Sequence, residues 1–268
     1  MLKIDPSLNL MISESKDDLR KTFNHYLEKY KVFVVVGGDG TVREVAKYLI
    51  NQPKKYLGVY PNGSGNGFAN ELGFKKNLSI LTRDIIRGET LDLDVIQVND
   101  SLCINMAGVG MDSHVAHAFG QSNKRGLIRY SMLTARSAIT FKPFEASVRV
   151  NNSIVEGKYR MITIANTRQF GNNAVVAPMA KPNDGIFDLV LVKPFPAYLY
   201  PQITAMMFLG KKQHSRYIEY IQTKDPVTIQ ADYHDYHLDG EPVRFEGDVH
   251  VSINASIVKV IKTSFNNL

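Results

Sequence analysis

Tryptophan is absent from this 268-residue chain, cysteine occurs once, and no stretch of 18 consecutive apolar residues exists. Each absence closes a class. A lone thiol, Cys103, cannot form an internal disulfide, which excludes a disulfide-stapled secreted scaffold; in the run Leu102-Cys103-Ile104 it reads as a small core residue. Without a long apolar run, no transmembrane helix is expected. Met1-Leu2-Lys3-Ile4-Asp5 opens without the apolar stretch of a signal peptide, so a cytoplasmic setting is the expectation. Internal repeats, low-complexity tracts and Pro/Ser-rich linkers are missing as well. So are blocks of like charge: the net charge of +6 is spread out, with only pairs such as Lys124-Arg125 and Lys211-Lys212. A diffuse positive balance suits nucleotide phosphates or an anionic lipid surface better than nucleic acid, for which no motif is present.

What remains is ordinary globular material, 44% hydrophobic and 22% charged, with enough apolar residues for real cores. The first hundred residues alternate strand and helix patterns. Residues 8–12 read as a short strand, and Ser15 to Tyr30 as a helix with Ser15 as cap and Asp17 and Asp18 in its first turn. Residues 32–36 form a β-branched and aromatic run expected to be buried on both faces. A helix over 41–50, a strand over 56–60 and a helix over 78–86 ending at Gly88 follow. After about residue 90 short alternating runs dominate, at 92–98, 101–106, 146–150, 160–166, 186–192, 227–231 and 248–261, with helical stretches near 126–139 and 197–209. The fold class expected is therefore an α/β N-terminal domain with a doubly wound parallel sheet, over 1–100, and an antiparallel β-sandwich C-terminal domain, over 101–268.

Two glycine-rich strings carry the chemistry. Gly37-Gly38-Asp39-Gly40-Thr41 and Pro61-Asn62-Gly63-Ser64-Gly65-Asn66-Gly67 each follow a strand pattern. Backbone this bare can approach a polyphosphate, because no Cβ shields the amides, and a glycine turn between strand and helix is the layout of a nucleotide site. Thr41-Val42-Arg43-Glu44 fits a capping box, and Glu44 reads more as a cap residue than as a ligand. Asp39 is the one charged group in a loop suited to anions, which makes sense if a divalent cation bridges it to phosphate. Neither string fits the P-loop or the dinucleotide fingerprint.

Taken together the two strings resemble those of the diacylglycerol kinase catalytic domain family, which includes bacterial lipid kinases and sphingosine kinases. NAD kinases share only the first string. The resemblance continues through Asp94 to Asn99, Cys103 to Asp112, Ala177 to Asp188, and Leu238-Asp239-Gly240-Glu241-Pro242. It implies an ATP-dependent kinase that phosphorylates a lipid hydroxyl with Mg²⁺, meeting its acceptor at a membrane surface it does not span. It assigns Glu241 as general base and residues 37–41, Glu44, Gly63, Ser64, Gly65 and Asn66 to the nucleotide. Asp39 and Asp94 would hold the catalytic Mg²⁺. Asp184, with the backbone carbonyls of Lys181 and Ile186, would hold a structural Mg²⁺, although Asn183-Asp184-Gly185 reads equally as a plain turn. The alternatives left open are a soluble NAD kinase-like enzyme and a non-catalytic nucleotide- or lipid-binding protein. The acceptor stays unspecified, and a homodimer is compatible with the sequence.

Two departures stand out. The family usually opens with a strand ending in Asn-Pro and a glycine-containing loop, whereas residues 8–30 here match its second strand and helix. Many bacterial members also carry Asp where this chain has Gly67. Lesser candidates are a His114/His117 metal pair, a membrane-facing stretch over 124–142, and an apolar stretch over 194–211 that reads equally as lipid-pocket lining or core. His234 and His237 read as solvated loop residues.

Overall fold

The computed structural model describes residues 9–13, 15–121, 127–212 and 215–266. In chain order the N-terminal part consists of α1 (Lys16–Leu27), β1 (Val32–Gly37), α2 (Asp39–Leu49), β2 (Tyr56–Pro61), α3 (Gly67–Glu71), α4 (Leu78–Arg87) and β3 (Thr90–Val98). Then come β4 (Ser101–Cys103), β5 (Met106–Gly110), α5 (Met111–Gly120), α6 (Leu127–Thr140), β6 (Phe144–Val150), β7 (Ser153–Tyr159), β8 (Met161–Ala165) and β9 (Phe187–Val192). The chain finishes with α7 (Tyr200–Phe208), β10 (Ile218–Thr223), β11 (Val227–Ala231), β12 (Asp235–Leu238), β13 (Glu241–Arg244) and β14 (Val249–Ile261).

Local chemistry explains several boundaries. The Ser15 side chain accepts a hydrogen bond from the Asp18 amide at 3.1 Å and so caps α1, as the acidic first turn predicts. Gly88, with φ of 70°, ends α4 by accepting the left-handed conformation that other residues resist. Asp239 and Gly240 both have positive φ, 51° and 80°, as a tight two-residue β-hairpin turn requires between β12 and β13.

Two sheets organise the molecule. One has eight strands in the order β1-β2-β14-β11-β6-β7, with β3 pairing β14 and β4; the other has six, in the order β10-β9-β8-β5-β12-β13. β1 and β2 are parallel, whereas the six-stranded sheet is antiparallel throughout. An α/β unit followed by an antiparallel sandwich is the architecture the sequence pattern implies. A core of Ile96, Val98, Ile162, Ile164, Leu189 and Val251, among others, lies between the sheets; a second, including Val42, Leu49, Leu57, Val59, Leu81 and Val260, holds the helices of the first unit. Each fully buried side chain of this kind contributes about 1.5–3 kcal/mol. The last strand returns to the first unit: Val258, Val260 and Ile261 of β14 pack in the N-terminal core, with Val260 paired to Leu57 of β2.

Four local expectations are corrected. Residues 9–12 form no strand, and residue 8 lies outside the described residues. β1 is covered on one face only; Val34 and Val36, two residues apart on the other face, are exposed instead of buried. α2 begins at Asp39 with Gly38 as its N-cap and no side-chain cap, so Thr41 and Glu44 form no capping box. His237 lies on β12 and is buried rather than solvated, because that strand sits inside the six-stranded sheet.

Candidate active site

The two glycine strings leave neighbouring parallel strands at one sheet edge. Gly37 of β1 registers with Pro61 of β2, and the Asn62 amide donates to the Gly37 carbonyl at 2.9 Å. The loops touch through bare backbone: a side chain on Gly38 or Gly63 would run into the other glycine. The second loop closes on itself through Asn66, whose side chain accepts from the Gly63 amide and donates to the Gly63 carbonyl, both at 2.8 Å.

Asp39 stitches the loops together. Its Oδ2 accepts from the Gly67 amide and its Oδ1 from the Phe68 amide, each at 3.0 Å. The carboxylate thus caps α3 from across the crevice, a favourable place for negative charge. Burial nevertheless pushes its pKa from 3.8 up to about 6, with the Asp239 carboxylate contributing and the backbone hydrogen bonds opposing. α2, by contrast, has no side-chain cap. Its first amides are those that a helix start leaves without an intrahelical acceptor and can offer to an anion.

Glu241 opens β13 and returns to this crevice from the other end of the chain. A methyl group on Gly40 would stand 3.1 Å from its Cδ and overlap its carboxylate oxygen. Arg43, one turn further along α2, holds it there. The Arg43 guanidinium donates Nη1 to the Leu238 carbonyl at 2.9 Å and Nη2 to Glu241 Oε2. It also lies 3.5 Å from Glu44 and 4.0 Å from Asp239. Glu44 in turn pairs with Lys47 at 2.9 Å.

Residues 2–98 match the family "Diacylglycerol kinase catalytic domain", and residues 105–262 match the "YegS C-terminal NAD kinase beta sandwich-like domain". The chain belongs to the family of the YegS C-terminal domain, whose model spans more than half of it, and carries a diacylglycerol kinase catalytic domain ahead of that domain. It is 27% identical over 248 residues to the "Probable lipid kinase YegS-like" of Shewanella frigidimarina, covering 87% of this chain and 79% of that one. It is 26% identical over 221 residues to the "Diacylglycerol kinase" of Bacillus subtilis, covering 80% and 72%. In fold it resembles a diacylglycerol kinase from Bacillus anthracis, with a TM-score of 0.73 at 18% identity over 97% of this chain and 86% of that one. An NAD kinase from Archaeoglobus fulgidus, solved with ATP, follows at a TM-score of 0.56 and 16% identity, covering 97% and 86%.

Within this family member, Gly37, Gly38, Asp39, Gly40, Thr41, Gly63, Ser64, Gly65, Asn66 and Glu241 gather around one crevice. Asp94 does not join Asp39. Its oxygens accept from the Gly185 and Ser256 amides, both at 2.7 Å, and its amide donates to the Pro182 carbonyl at 2.8 Å. The pairing of Asp94 with Asp39 is therefore corrected: Asp94 belongs with the turn carrying Lys181, Asp184 and Ile186. Burial raises its pKa, opposed by those amides, and neighbouring Asp184 raises it further. Asp184 Oδ1 accepts from the Ile186 amide at 3.1 Å. Among the described residues, no three Asp, Glu, His or Cys side chains converge as a metal cluster.

Gly67 has a structural reason. A Cβ there would meet the Phe170 carbonyl and the Asn105 side-chain amide, because the loop after β8 lies on this turn. That loop reaches Ser64 and Gly65 as well: Asn172 donates to both carbonyls at 3.3 Å.

Two residues here were not singled out by sequence reasoning, and a third was misread as solvated. Arg43 is one; a charged side chain beside the apolar positions Val42, Val45 and Ala46 was the available signal. Asp239 is another. It is fully buried and accepts from the Ile104, Asn105 and Met106 amides at 3.1, 2.8 and 3.1 Å and from the Cys103 thiol at 3.0 Å. Burial, reinforced by this carboxylate, pushes the Cys103 thiol well up, so Cys103 is a core residue as expected. The third is His237. Its Nδ1 accepts from the Gly240 amide at 3.4 Å, which leaves Nε2–H to donate to Asp112 Oδ2 at 3.1 Å. His114 and His117 do not converge on a metal: His114 lies against Phe141, and His117 donates to the Tyr236 carbonyl. Of the stretch 124–142, Lys124 and Arg125 lie outside the described residues, while Met132 and Ile139 are exposed.

Proposed function

We propose that this chain is an ATP-dependent lipid kinase that transfers the γ-phosphoryl group to a lipid hydroxyl, with Glu241 as general base. The observation that carries the reading is the contact of Gly40 with Glu241: an uncapped helix start and a carboxylate meet at one point. A triphosphate lying along residues 37–41 and 63–66 would be held by α2's first amides. The acceptor hydroxyl would give its proton to Glu241 as its oxygen bonds to the γ-phosphorus, while the bond from that phosphorus to the β–γ bridging oxygen breaks and ADP leaves. Arg43 fixes the Glu241 carboxylate at the crevice.

The residues fit Mg²⁺ of the kind that nucleotides bring. Mg²⁺ keeps several waters and takes one or two carboxylates besides phosphate oxygens, and the Asp39 carboxylate has acceptor capacity beyond its backbone contacts. Bound there, the ion would neutralise charge on the phosphates. Asp184 with the Lys181 and Ile186 carbonyls is proposed as a second Mg²⁺ site; the mutual repulsion of Asp184 with Asp94 and Asp188 supports a cation in that corner. Among the described residues no helix is long and apolar enough to cross a membrane, which accords with a cytoplasmic enzyme that visits the bilayer surface.

The test is label transfer from [γ-³²P]ATP to mixed lipid vesicles by wild type and Glu241→Gln. Mg²⁺-dependent label in lipid that nearly vanishes in the variant is expected. Equal labelling by both would remove Glu241 from the reaction. Label entering NAD, offered in parallel, would select the soluble-acceptor reading, and no transfer to either acceptor would select the non-catalytic one.

A further inference from the structure

We propose that α7 and the residues flanking it form a docking face for an anionic phospholipid bilayer. The segment from Pro194 to Gly210 is almost wholly apolar. A helix without a polar face is ordinarily buried, yet no residue of α7 is. Ile203 and Met207 lean on a separate apolar cluster that includes Met161, Val176, Val190 and Ile218. Tyr198, Phe208 and Leu209 point outward, at 78%, 59% and 65% exposure. Three large apolar side chains this open in one short segment mark a surface that meets something.

Charge identifies the partner. No acidic residue occurs from Pro194 to Arg216, and the apolar segment ends in Lys211-Lys212. Both lysines and Arg216 are exposed. Lys212 rests over the Tyr220 ring at 5.5 Å and Arg216 over Tyr217 at 4.9 Å. Apolar side chains rimmed by cations suit the boundary between acyl chains and anionic headgroups. A second copy of this chain fits poorly, because a symmetric contact would set one basic rim against the other.

The place of the face in the fold supplies a purpose. The Val175 amide donates to the Met207 carbonyl of α7 at 3.1 Å, and in the same loop the Asn172 amide donates to the Gly65 carbonyl at 3.3 Å. One loop thus joins the docking face to the second glycine string. The purpose rests on the lipid-kinase reading above: a bilayer seated on α7 would present headgroups beside the phosphate crevice.

Co-sedimentation with vesicles of phosphatidylcholine, alone and mixed with phosphatidylglycerol, tests the face directly. Wild type should favour the anionic vesicles about tenfold or more, and added salt should weaken the preference. Lys211→Glu/Lys212→Glu and Phe208→Ser/Leu209→Ser should each lose about tenfold in binding, with unchanged thermal midpoints and unchanged stabilisation by ATP. Sedimentation of both double variants like wild type would overturn the proposal, as would a wild-type dimer that these substitutions dissociate. Vesicle binding without label transfer to any lipid would uphold the face and remove the lipid-kinase reading; lipid labelling in detergent micelles without vesicle binding would do the reverse.

Discussion

Arg43 and Glu241, 198 residues apart in sequence, form an ion pair that joins α2 of the N-terminal α/β unit to β13 of the sandwich. The same guanidinium also holds the Leu238 carbonyl, so both ends of the Asp239-Gly240 turn are tied to one side chain. Arg43→Gln should lower kcat about 10- to 100-fold while leaving the KM for ATP nearly unchanged. Arg43→Lys should recover only part, since an ammonium lacks the planar fork that serves two acceptors. Steady-state kinetics of the three proteins decide; a rise in the KM for ATP at constant kcat would mean that Arg43 serves the nucleotide instead.

Gly67 yields to a neighbour. Restoring the aspartate that many bacterial relatives are expected to carry, by Gly67→Asp, should destabilise the fold by about 1–3 kcal/mol, because the new Cβ meets the Phe170 carbonyl. The variant should gain no Mg²⁺ affinity. Urea melts and Mg²⁺ titration in the presence of ATP measure the two effects separately, and a stable variant with tighter metal binding would contradict the steric account.

Asp239 is a clamp. Its carboxylate accepts three backbone amides and a thiol in the interior. Asp239→Asn turns an acceptor oxygen into a donor facing donors, and should cost about 3 kcal/mol. Chemical denaturation checks this, and a loss below about 1 kcal/mol would show that the four donors find other partners.

Asp188 predicts a pH dependence. It is buried on β9, and its Oδ1 has no hydrogen-bond partner. Burial raises its pKa from 3.8 to about 6; the Gln222 hydrogen bond opposes this, Asp184 adds to it, and Lys212 offsets part. The folded value exceeds the unfolded one, so the native state binds the proton more tightly. Below about pH 4 both states are protonated and no cost arises; as pH rises through about 6 the native state must carry the buried charge and loses up to about 3 kcal/mol. Asp188→Asn in metal-free buffer should therefore gain on wild type between about pH 4 and 7 in urea-midpoint comparisons. Parallel pH profiles would rule out this ionisation as the cause.

Legibility in the sequence followed the range of the forces involved. Ser15 and Gly88 were readable because a cap and a left-handed turn are decided within four residues. β7 and β13 escaped notice because Ser153–Tyr159 is largely exposed and Glu241–Arg244 too short to show alternation. β1 was misread as buried on both faces because its apolar run is the same whether one face of the strand is covered or both; what packs against the sheet decides which.

By itself, the sequence determined the alternation of strand and helix, the later alternating strands, and the two side-chain-poor turns, since periodicity and turn chemistry act locally. Only the tertiary structure decided that Asp94 sits with Gly185 rather than Asp39, that Phe170 fills the space beside Gly67, and that Arg43 meets Glu241. Those contacts link residues 91 and 198 positions apart in the first and last cases. They depend on which strands become neighbours when the sheets assemble, and no local pattern of residues encodes that.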